Sequence, residues 1–363
     1  MKKIVIDARE SGTSTGRYVD KLIEYLHDLR PGFQIIILTK RHRMDFIKDI
    51  APHFKIVETG YREFSFGEQI GFLRQIKSLK PDLVHFAMVQ QPVRYHGKVV
   101  TTMHDLTTTR FNNPSKNASS FMAKQKVYTW LNKKAAHKSA AIITPSEFVK
   151  DDVAQFAGID PRKIIVTYEA ADIISDAAEV INGLEGKKFI IYVGRPQPHK
   201  NLGRLVEAFK LLQKTHPDLC LVLAGKKDIL YERIEQQAHQ KRIKNIIFTD
   251  FISEGQLRWL YENCQAYIFP SLSEGFGLPG LEAMMHGAPV VSSNATCLPE
   301  IYQGAAHYFD PLNAQEMAAK IAEVLDDDHL RAELINAGKM HAASFSWKRT
   351  AWQTLAIYQK LFD

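Results

Sequence analysis

Short runs of aliphatic and β-branched residues alternate with helical patterns along nearly all of this 363-residue chain. The first series of runs is KIVIDA (3–8), QIIILT (34–39), DLVHF (82–86), KVVTTM (98–103), AAIIT (140–144) and KIIVTY (163–168). Between the first two runs, Val19, Leu22, Ile23 and Leu26 recur at helical spacing. Strands that alternate with helices predict a parallel sheet with crossover helices.

The alternation stops and then restarts, which predicts two domains. Residues 172–188, DIISDAAEVINGLEGKK, contain few large apolar positions at either period. The second series is FIIYVG (189–194), CLVLAG (220–225), NIIFTD (245–250), AYIFP (266–270) and PVVSS (289–293). We therefore predict an α/β chain with two doubly wound, Rossmann-like domains, residues 1–172 and 173–345. Ligands in such sheets bind outside the carboxyl ends of the strands, so a cleft between two facing domains is the expected site.

A glycine-rich turn follows one strand of the second series, in SLSEGFGLPGLEAMMHG (271–287). Gly275, Gly277 and Gly280 remove side-chain bulk, and Pro279 suits the first turn of a helix that ends before Gly287. The free amides and the positive dipole of such a helix start favour a phosphate group. The pattern predicts an anion-binding loop.

Two carboxylates flank that loop. Glu282 lies one turn into the predicted helix, and a carboxylate there can accept two hydrogen bonds from the vicinal hydroxyls of a ribose. Glu274 precedes the glycines and would face whatever lies beyond the phosphates. The alternative is that both acids only complement the helix dipole, which is worth about 0.3–1 kcal/mol each.

Two cations follow the strand FIIYVG, in the loop GRPQPHKN (194–201). Arg195 offers a planar fork of donors and Lys200 a point charge, a combination that suits the charge developing on a diphosphate leaving group. Asn201 is a candidate cap for the helix that follows. The expected fingerprint of a dinucleotide oxidoreductase, GxGxxG, follows none of the strands.

The first half offers weaker candidates at similar positions. Gly16 lies in the small-residue loop SGTSTGRYV (11–19), and His104 with Asp105 follows the strand KVVTTM. A lone histidine is more often structural than functional, so both readings of His104 stay open. The acidic run 326–328 resembles a solvated turn, and we predict no metal site there.

The net charge of +7 lies entirely in residues 1–172. Much of it comes from KRHRMDFIK (40–48) and SFMAKQKVYTWLNKKAAHK (120–138), and the second segment also carries aromatic residues. Such a face suits an anionic membrane surface or an acidic substrate, and the alternative is a solvated helix face with its aromatics in the core. Nucleic acid is not expected, because no recognition motif accompanies the charge.

The composition favours the cytoplasm. No signal-peptide core and no run of about 18 apolar residues is present. The three cysteines, Cys220, Cys264 and Cys297, are far apart and match neither a disulfide framework nor a zinc site. We expect a cytoplasmic protein, with peripheral contact on the inner face of the cytoplasmic membrane if the basic face binds lipid.

Together these residues resemble the retaining glycosyltransferases of family 4, which have the GT-B architecture. The most specific match is E-x7-E around GFGLPGL, from Glu274 to Glu282, followed by GAPVVSSNATCLPE. Independent matches in the same order are GRYV (16–19), HDL (104–106), TPSEFVKDDV (144–153), VGR (193–195) and HKN (199–201). The resemblance covers nearly the whole chain and implies a nucleoside diphosphate sugar as donor, with no cofactor and no obligatory metal.

The resemblance also implies roles for individual residues. Glu282 would bind the ribose, Arg195 and Lys200 the diphosphate, and Glu274 the donor sugar. The amides of four residues would bind phosphate and sugar hydroxyls: Gly275, Phe276, Gly277 and Leu278. His104 would contact the sugar near its reacting face, and Gly16 would close over the phosphates. The catalytic set would be His104, Arg195, Lys200 and Glu274.

Within the family, the combination of GRYV, HDL, HKN and SSNATCLPE is similar to mannosyltransferases of bacterial polysaccharide assembly, which implies a donor such as GDP-mannose and a glycan or lipid-linked acceptor. The residues themselves do not distinguish GDP from UDP, and they identify neither the sugar nor the acceptor. The final helix, residues 346–363, would pack back on the first domain through Trp352, Leu355, Ile357 and Leu361. One departure is TYEAAD (167–172), where relatives carry an Asn-Gly-Val-Asp-like turn; it puts acceptor contacts near Glu169 in question.

Other functions remain open from sequence. A nucleotide-sugar epimerase or a glycoside phosphorylase could share the architecture and the phosphate loop. A non-catalytic nucleotide-binding scaffold is a different class, and so is a hydrolase that uses Glu274 and Glu282 as its acid pair. The products separate these functions, because only a transferase releases nucleoside diphosphate together with a glycoside.

Overall fold

The computed structural model describes residues 1–13, 15–111 and 118–363, with only the backbone of residues 118–124. The described chain forms two compact units, each built on one parallel sheet. One unit comprises Met1–Thr109, Met122–Glu169 and Ser346–Asp363, and the other Ala170–Phe345 with Arg110–Phe121.

The strands of the first unit are β1 (Lys3–Asp7), β2 (Gln34–Thr39), β3 (Lys55–Glu58), β4 (Leu83–Phe86), β5 (Val99–Thr102), β6 (Ala141–Thr144) and β7 (Ile164–Val166). Those of the second are β8 (Phe189–Val193), β9 (Cys220–Ala224), β10 (Ile246–Phe248), β11 (Ala266–Phe269), β12 (Val290–Ser293) and β13 (Ala306–Phe309). The sheet orders are β3-β2-β1-β4-β5-β6-β7 and β10-β9-β8-β11-β12-β13.

The α-helices are α1 (Arg17–Asp28), α2 (Met44–Ile50), α3 (Leu73–Leu79), α4 (Thr107–Arg110), α5 (Ala118–Lys138), α6 (Glu147–Ala157), α7 (Leu202–Leu212), α8 (Ile229–Gln240), α9 (Glu254–Asn263), α10 (Leu278–Met285), α11 (Leu298–Tyr302), α12 (Ala314–Asp326), α13 (Asp328–Ala342) and α14 (Trp347–Lys360). A π-helix precedes α3 at Glu68–Phe72, and short 3₁₀ turns lie at Arg41–Arg43, Pro161–Lys163, Pro198–Lys200 and Gln303–Ala305.

Both sheets confirm the predicted doubly wound arrangement. Every predicted run forms a strand, and all paired strands are parallel. The sequence missed only the edge strands β3 and β13, whose residues are partly exposed and mix polar with apolar types. The central strands are buried on both faces, which explains their unbroken aliphatic runs.

The order of strands reverses direction at one place in each sheet. In the first unit this switch point lies between β1 and β4, and in the second it lies between β8 and β11. Loops that leave the carboxyl ends of these strands diverge and leave a crevice, which is where doubly wound folds bind ligands. Residues 194–201 follow β8 and residues 270–277 follow β11.

The last helix, α14, belongs to the first unit and packs against α1. Trp347, Ala351, Thr354 and Tyr358 are buried, and the hydroxyl of Tyr358 lies 2.5 Å from Nδ1 of the fully buried His85. The predicted apolar face was wrong at Trp352, which is 61% exposed. The face that packs follows residues 347, 350, 351, 354 and 358, one turn apart, and Trp352 lies off that stripe.

Candidate active site

The two loops at the switch point of the second unit are tied together. Strands β8 and β11 are hydrogen-bonded neighbours, with Ala266 opposite Ile190, so both end at the same edge of the sheet. The amide of Leu272 donates to the carbonyl of His199 at 2.7 Å. The cations predicted after β8 and the glycine loop predicted after β11 therefore belong to one site.

Lys200 and Glu274 meet at this edge. Nζ of Lys200 lies 2.6 Å from Oε1 of Glu274, and the two side chains are only 20% and 12% exposed. The ammonium also lies 5.6 Å from the ring centroid of Phe269, the last residue of β11. The amide of Glu274 donates to Oγ1 of Thr296 at 3.1 Å. The loop thus holds a half-buried cation and anion side by side.

Arg195 lies at the same edge with its side chain exposed. Its carbonyl accepts a hydrogen bond from the hydroxyl of Tyr192 at 3.2 Å, and the carbonyl of Gly194 accepts one from Tyr231 at 2.7 Å. The guanidinium makes no hydrogen bond or ion pair with the residues that the structure describes. A fixed backbone therefore presents a cation that is available to a ligand.

Asn201 does not cap α7 with its side chain, so that prediction was wrong. The residue adopts a left-handed conformation (φ 60°), and Nδ2 donates instead to the carbonyls of Pro270 at 3.0 Å and Pro311 at 2.8 Å. Asparagine tolerates this conformation better than most residues. Its side chain joins the loop after β8 to the end of β11 and so helps to place Lys200.

The glycine loop leads into α10 as predicted, with Gly277 at the helix start and Pro279 in the first turn. Gly277 has φ 98°, and a Cβ on Gly280 would lie 2.2 Å from the hydroxyl oxygen of Tyr302. That hydroxyl donates to the carbonyl of Gly277 at 2.6 Å. The glycines are therefore required by the packing of Tyr302 beneath the turn. Pro279 has no N–H, and the amide of Gly280 donates to the carbonyl of Gly277 at 3.1 Å, so it is the positive end of the helix dipole that suits an anion here.

Of the remaining predicted residues, Gly275, Phe276 and Glu282 are buried and Leu278 is partly buried. Glu282 is 8% exposed, on the first turns of α10. The ring of Phe276 packs edge-on against Phe345 at 5.7 Å, so that residue can offer a ligand only its backbone. Leu278 is the first residue of the helix. The predicted role of Phe276 and Leu278 as backbone donors stays a prediction.

In the first unit, His104 follows β5 and uses both ring nitrogens. Nδ1 lies 3.1 Å from Oε1 of Glu169, and Nε2 lies 3.0 Å from the carbonyl oxygen of Ala87. Burial lowers the pKa of His104, but the hydrogen bond and charge of Glu169, with smaller help from Ala87 and Asp105, outweigh it and raise the pKa above 6.5. The histidine is part of a polar cluster at the sheet edge.

Gly16 precedes α1, and its amide donates to the carbonyl of Thr13 at 3.0 Å. A Cβ at this position would lie 1.8 Å from the carbonyl oxygen of Glu10. No larger residue fits without moving the backbone. The loop's own packing explains the glycine, and its predicted contact with phosphates stays a prediction.

Sequence reasoning overlooked the residues that support the site. Thr296 accepts from the amide of Glu274, and Tyr302 sits under the glycine turn. Thr296 lies within SSNATCLPE (292–300), and Tyr302 lies just after it. From sequence, this segment supported only the resemblance to the family. Among the described residues, no group of three or more His, Cys, Asp or Glu side chains could hold a metal ion.

Two family models match the chain in succession. The model described as Glycosyltransferase Family 4 matches residues 15–173, and the one described as Glycosyl transferases group 1 matches residues 175–341. The chain therefore belongs to the family 4 glycosyltransferases of group 1, as its motifs predicted.

Curated relatives agree with this assignment. The chain is 28% identical to O-antigen chain mannosyltransferase B of Escherichia coli, over 96% of each protein. It is 32% identical to a serotype-specific mannosyltransferase WbdA of Escherichia coli over 64% of this chain, but it spans only 30% of that longer protein.

Solved structures show the same fold. Sucrose-phosphate synthase from Thermosynechococcus elongatus matches with a TM-score of 0.78 at 18% identity, covering 100% of this chain and 99% of that one. Anabaena HepE, solved in complex with UDP-glucose, matches with a TM-score of 0.72 at 16% identity, covering 99% and 100%. The architecture is the GT-B fold.

Proposed function

We propose that this protein is a retaining glycosyltransferase that moves a hexosyl unit, mannose in the first instance, from a nucleoside diphosphate sugar to a hydroxyl of a glycan or lipid-linked acceptor. The observation that carries the proposal is the Lys200 and Glu274 pair at the switch point of the second unit, beside the start of α10. The named mannosyltransferase relatives favour mannose, and GDP-mannose is the first donor to test.

The site supplies what departure of a diphosphate requires. Arg195 and Lys200 bring positive charge, and the amides at the start of α10 add partial positive charge. Fixed charges of this kind stabilise an anion as it forms, and removal of one such donor typically costs a hundredfold or more in rate. We assign the ribose to Glu282 and the donor sugar to Glu274 and His104, with Gly16 beside the phosphates.

The reaction needs no separate base. The bond between the anomeric carbon and the diphosphate oxygen breaks, and its electron pair stays on that oxygen. The acceptor oxygen attacks the same face of the sugar, and its proton passes to the departing diphosphate oxygen. Configuration at the anomeric carbon is retained. Because the diphosphate is neutralised by protein cations, we propose that catalysis needs no metal.

Product analysis tests this function. The protein is incubated with GDP-mannose, and in parallel with UDP-glucose, in the presence of mannosides as acceptors. We expect release of nucleoside diphosphate together with an α-linked product, whose anomeric configuration is read by NMR. An epimerised donor would indicate an epimerase, free sugar a hydrolase, and nucleotide binding without turnover a scaffold. Activity that survives EDTA supports catalysis without a metal.

We further propose that the first unit docks on anionic membranes. On α5, Lys126, Val127, Trp130, Lys133 and Lys134 are exposed and lie on one helical face. Phe66, in the loop that precedes the π-helix, is 90% exposed. Phe64 in the same loop contacts Tyr128 of α5, with ring centroids 5.5 Å apart. Exposed aromatic residues beside lysines suit an interface with acidic lipid headgroups. Within the described chain, none of the helices has the length and hydropathy of a membrane span.

Vesicle sedimentation tests this docking. Vesicles of phosphatidylglycerol and phosphatidylcholine are compared with pure phosphatidylcholine at low and high salt. We expect binding only to the anionic vesicles, weakened by salt. Phe66→Ser with Trp130→Ser should reduce binding to the anionic vesicles. Trp352→Ser should not, although Trp352 on α14 is 61% exposed against 53% for Trp130. Absence of binding at low salt would refute the docking without touching the catalytic proposal.

A further inference from the structure

Both ring nitrogens of His104 face hydrogen-bond acceptors. One ring nitrogen faces the carboxylate of Glu169 at 3.1 Å, and the other faces the carbonyl of Ala87 at 3.0 Å. Both partners are acceptors, and a neutral imidazole carries only one N–H. The protonated ring, with two N–H groups, satisfies both contacts. A glutamic acid is a stronger acid than an imidazolium, so the shared proton rests on the histidine.

The surrounding groups favour this state. Asp105, the next residue, adds negative charge and raises the pKa of His104. The ring of Tyr18 packs against His104 in a T-shaped arrangement, with centroids 4.8 Å apart, and adds no charge. The second histidine of the cluster, His85, is fully buried, and its pKa falls to about 3 through burial and the charge of His104. His85 is therefore neutral, and the cluster carries one cation, at His104.

Glu169 is fixed in place rather than free on the surface. It is 5% exposed, and it follows Tyr168, whose carbonyl accepts a hydrogen bond from Oγ1 of Thr350 on α14 at 2.5 Å. The amide of Thr167 donates to the carbonyl of Thr144 at 2.9 Å. Strand β6 and helix α14 thus hold the turn that carries the carboxylate. This is also the turn where TYEAAD departs from the family pattern.

We propose that Glu169 is a positioning residue that keeps His104 protonated and oriented, so that His104 serves the reaction as a fixed cation and never as a base. The inference deepens the proposed function and rests on it. It explains where the acceptor proton goes: with no lone pair on His104, the departing diphosphate oxygen takes it.

The primary test is the protonation of His104, measured without any substrate. The ring resonances of the histidines are followed by NMR from pH 5 to 10, and His104 is assigned by its loss in His104→Gln. We expect its midpoint above 6.5 in the wild type and at lower pH in Glu169→Gln. Glu169→Asp keeps the charge and should keep a midpoint above that of Glu169→Gln. A wild-type midpoint below 6.5, or one unchanged in Glu169→Gln, overturns the proposal.

A matched control removes a carboxylate from a different histidine. Oε2 of Glu323 lies 2.6 Å from Nε2 of His307, at the surface of the second unit. Glu323→Gln should leave the His104 midpoint unchanged. Unfolding midpoints of all variants are recorded, so that a Glu169 variant that fails to fold is recognised and the wild-type midpoint of His104 then decides.

Kinetics supply the second readout. For Glu169→Gln we expect kcat to fall about tenfold or more at pH 8, with a smaller loss at pH 6, where His104 still takes up a proton. A loss equal at both pH values would mean a structural role only and would overturn the proposal. Failure of the wild type to transfer sugar from any donor would refute the proposed function instead, and the NMR titration would still decide the pairing of His104 with Glu169.

Discussion

The ammonium of Lys200 and the carboxylate of Glu274 lie 2.6 Å apart, although 74 residues separate them in the sequence. Each is the other's counter-ion in a partly buried position. A diphosphate that binds Lys200 competes with Glu274 for the same ammonium. Under the proposed function, donor binding therefore releases Glu274, which becomes available to the sugar hydroxyls.

Replacement of Lys200 by alanine should reduce kcat by about a hundredfold or more, because the leaving diphosphate loses a preorganised cation. Steady-state rates of nucleoside diphosphate release measure this. Lys210→Ala, on the exposed face of α7, is the matched control and should be neutral. An unchanged kcat in Lys200→Ala would remove this residue from the mechanism.

Glu282→Ala should weaken nucleotide binding more than Glu274→Ala does. The first variant loses the proposed ribose contact, whereas the second frees Lys200 for phosphate. Thermal unfolding with GDP and UDP reports the affinity, because a ligand at 100 times its Kd adds roughly 2.7 kcal/mol to native stability. Glu207→Ala, on α7, serves as control. Equal affinity in the two variants would contradict the ribose role of Glu282.

Gly280→Ala should destabilise the second unit by about 1–3 kcal/mol, because the new Cβ would meet the Tyr302 hydroxyl at 2.2 Å. Gly203→Ala, in the first turn of α7, is the matched control. No atom lies within 4 Å of its added Cβ, and we expect it to be neutral or to stabilise by up to about 1 kcal/mol. Urea titrations compare the two. Equal stability would show that Tyr302 adapts freely, leaving no structural requirement for Gly280.

His85 should make the protein sensitive to acid. Its native pKa, lowered to about 3 by burial, lies below the ordinary value of 6.5. Protonation therefore favours the unfolded chain. The stability due to the neutral ring is fully present above pH 6.5 and is lost as the pH falls towards 3. His85→Gln cannot titrate, so the free energy of unfolding should fall less steeply with acid in this variant. If the free energy of unfolding falls equally steeply in the wild type and in His85→Gln between pH 7.5 and 4.5, the lowered pKa of His85 is contradicted.

Much of the fold followed from local pattern. Buried central strands such as Phe189–Val193 and Cys220–Ala224 are continuous aliphatic runs, and their alternation with helices predicts parallel doubly wound sheets. The edge strand Lys55–Glu58 escaped detection because its two end residues are exposed, its two middle residues are only partly buried, and it therefore has no continuous aliphatic run. Trp352 was assigned to the core because helical spacing alone does not say which stripe packs.

The sequence by itself determined the types of the site residues and their places at strand ends: cations after β8, glycines and carboxylates after β11, a histidine after β5. Tertiary structure alone decided which of them touch. Lys200 meets Glu274 because β8 and β11 are neighbours in the sheet, and His104 meets Glu169 because β6 and α14 hold the turn that carries the carboxylate. Asn201 became a bridge between loops rather than a cap. Such contacts depend on strand order and on residues far apart in the chain, and local propensity does not encode them.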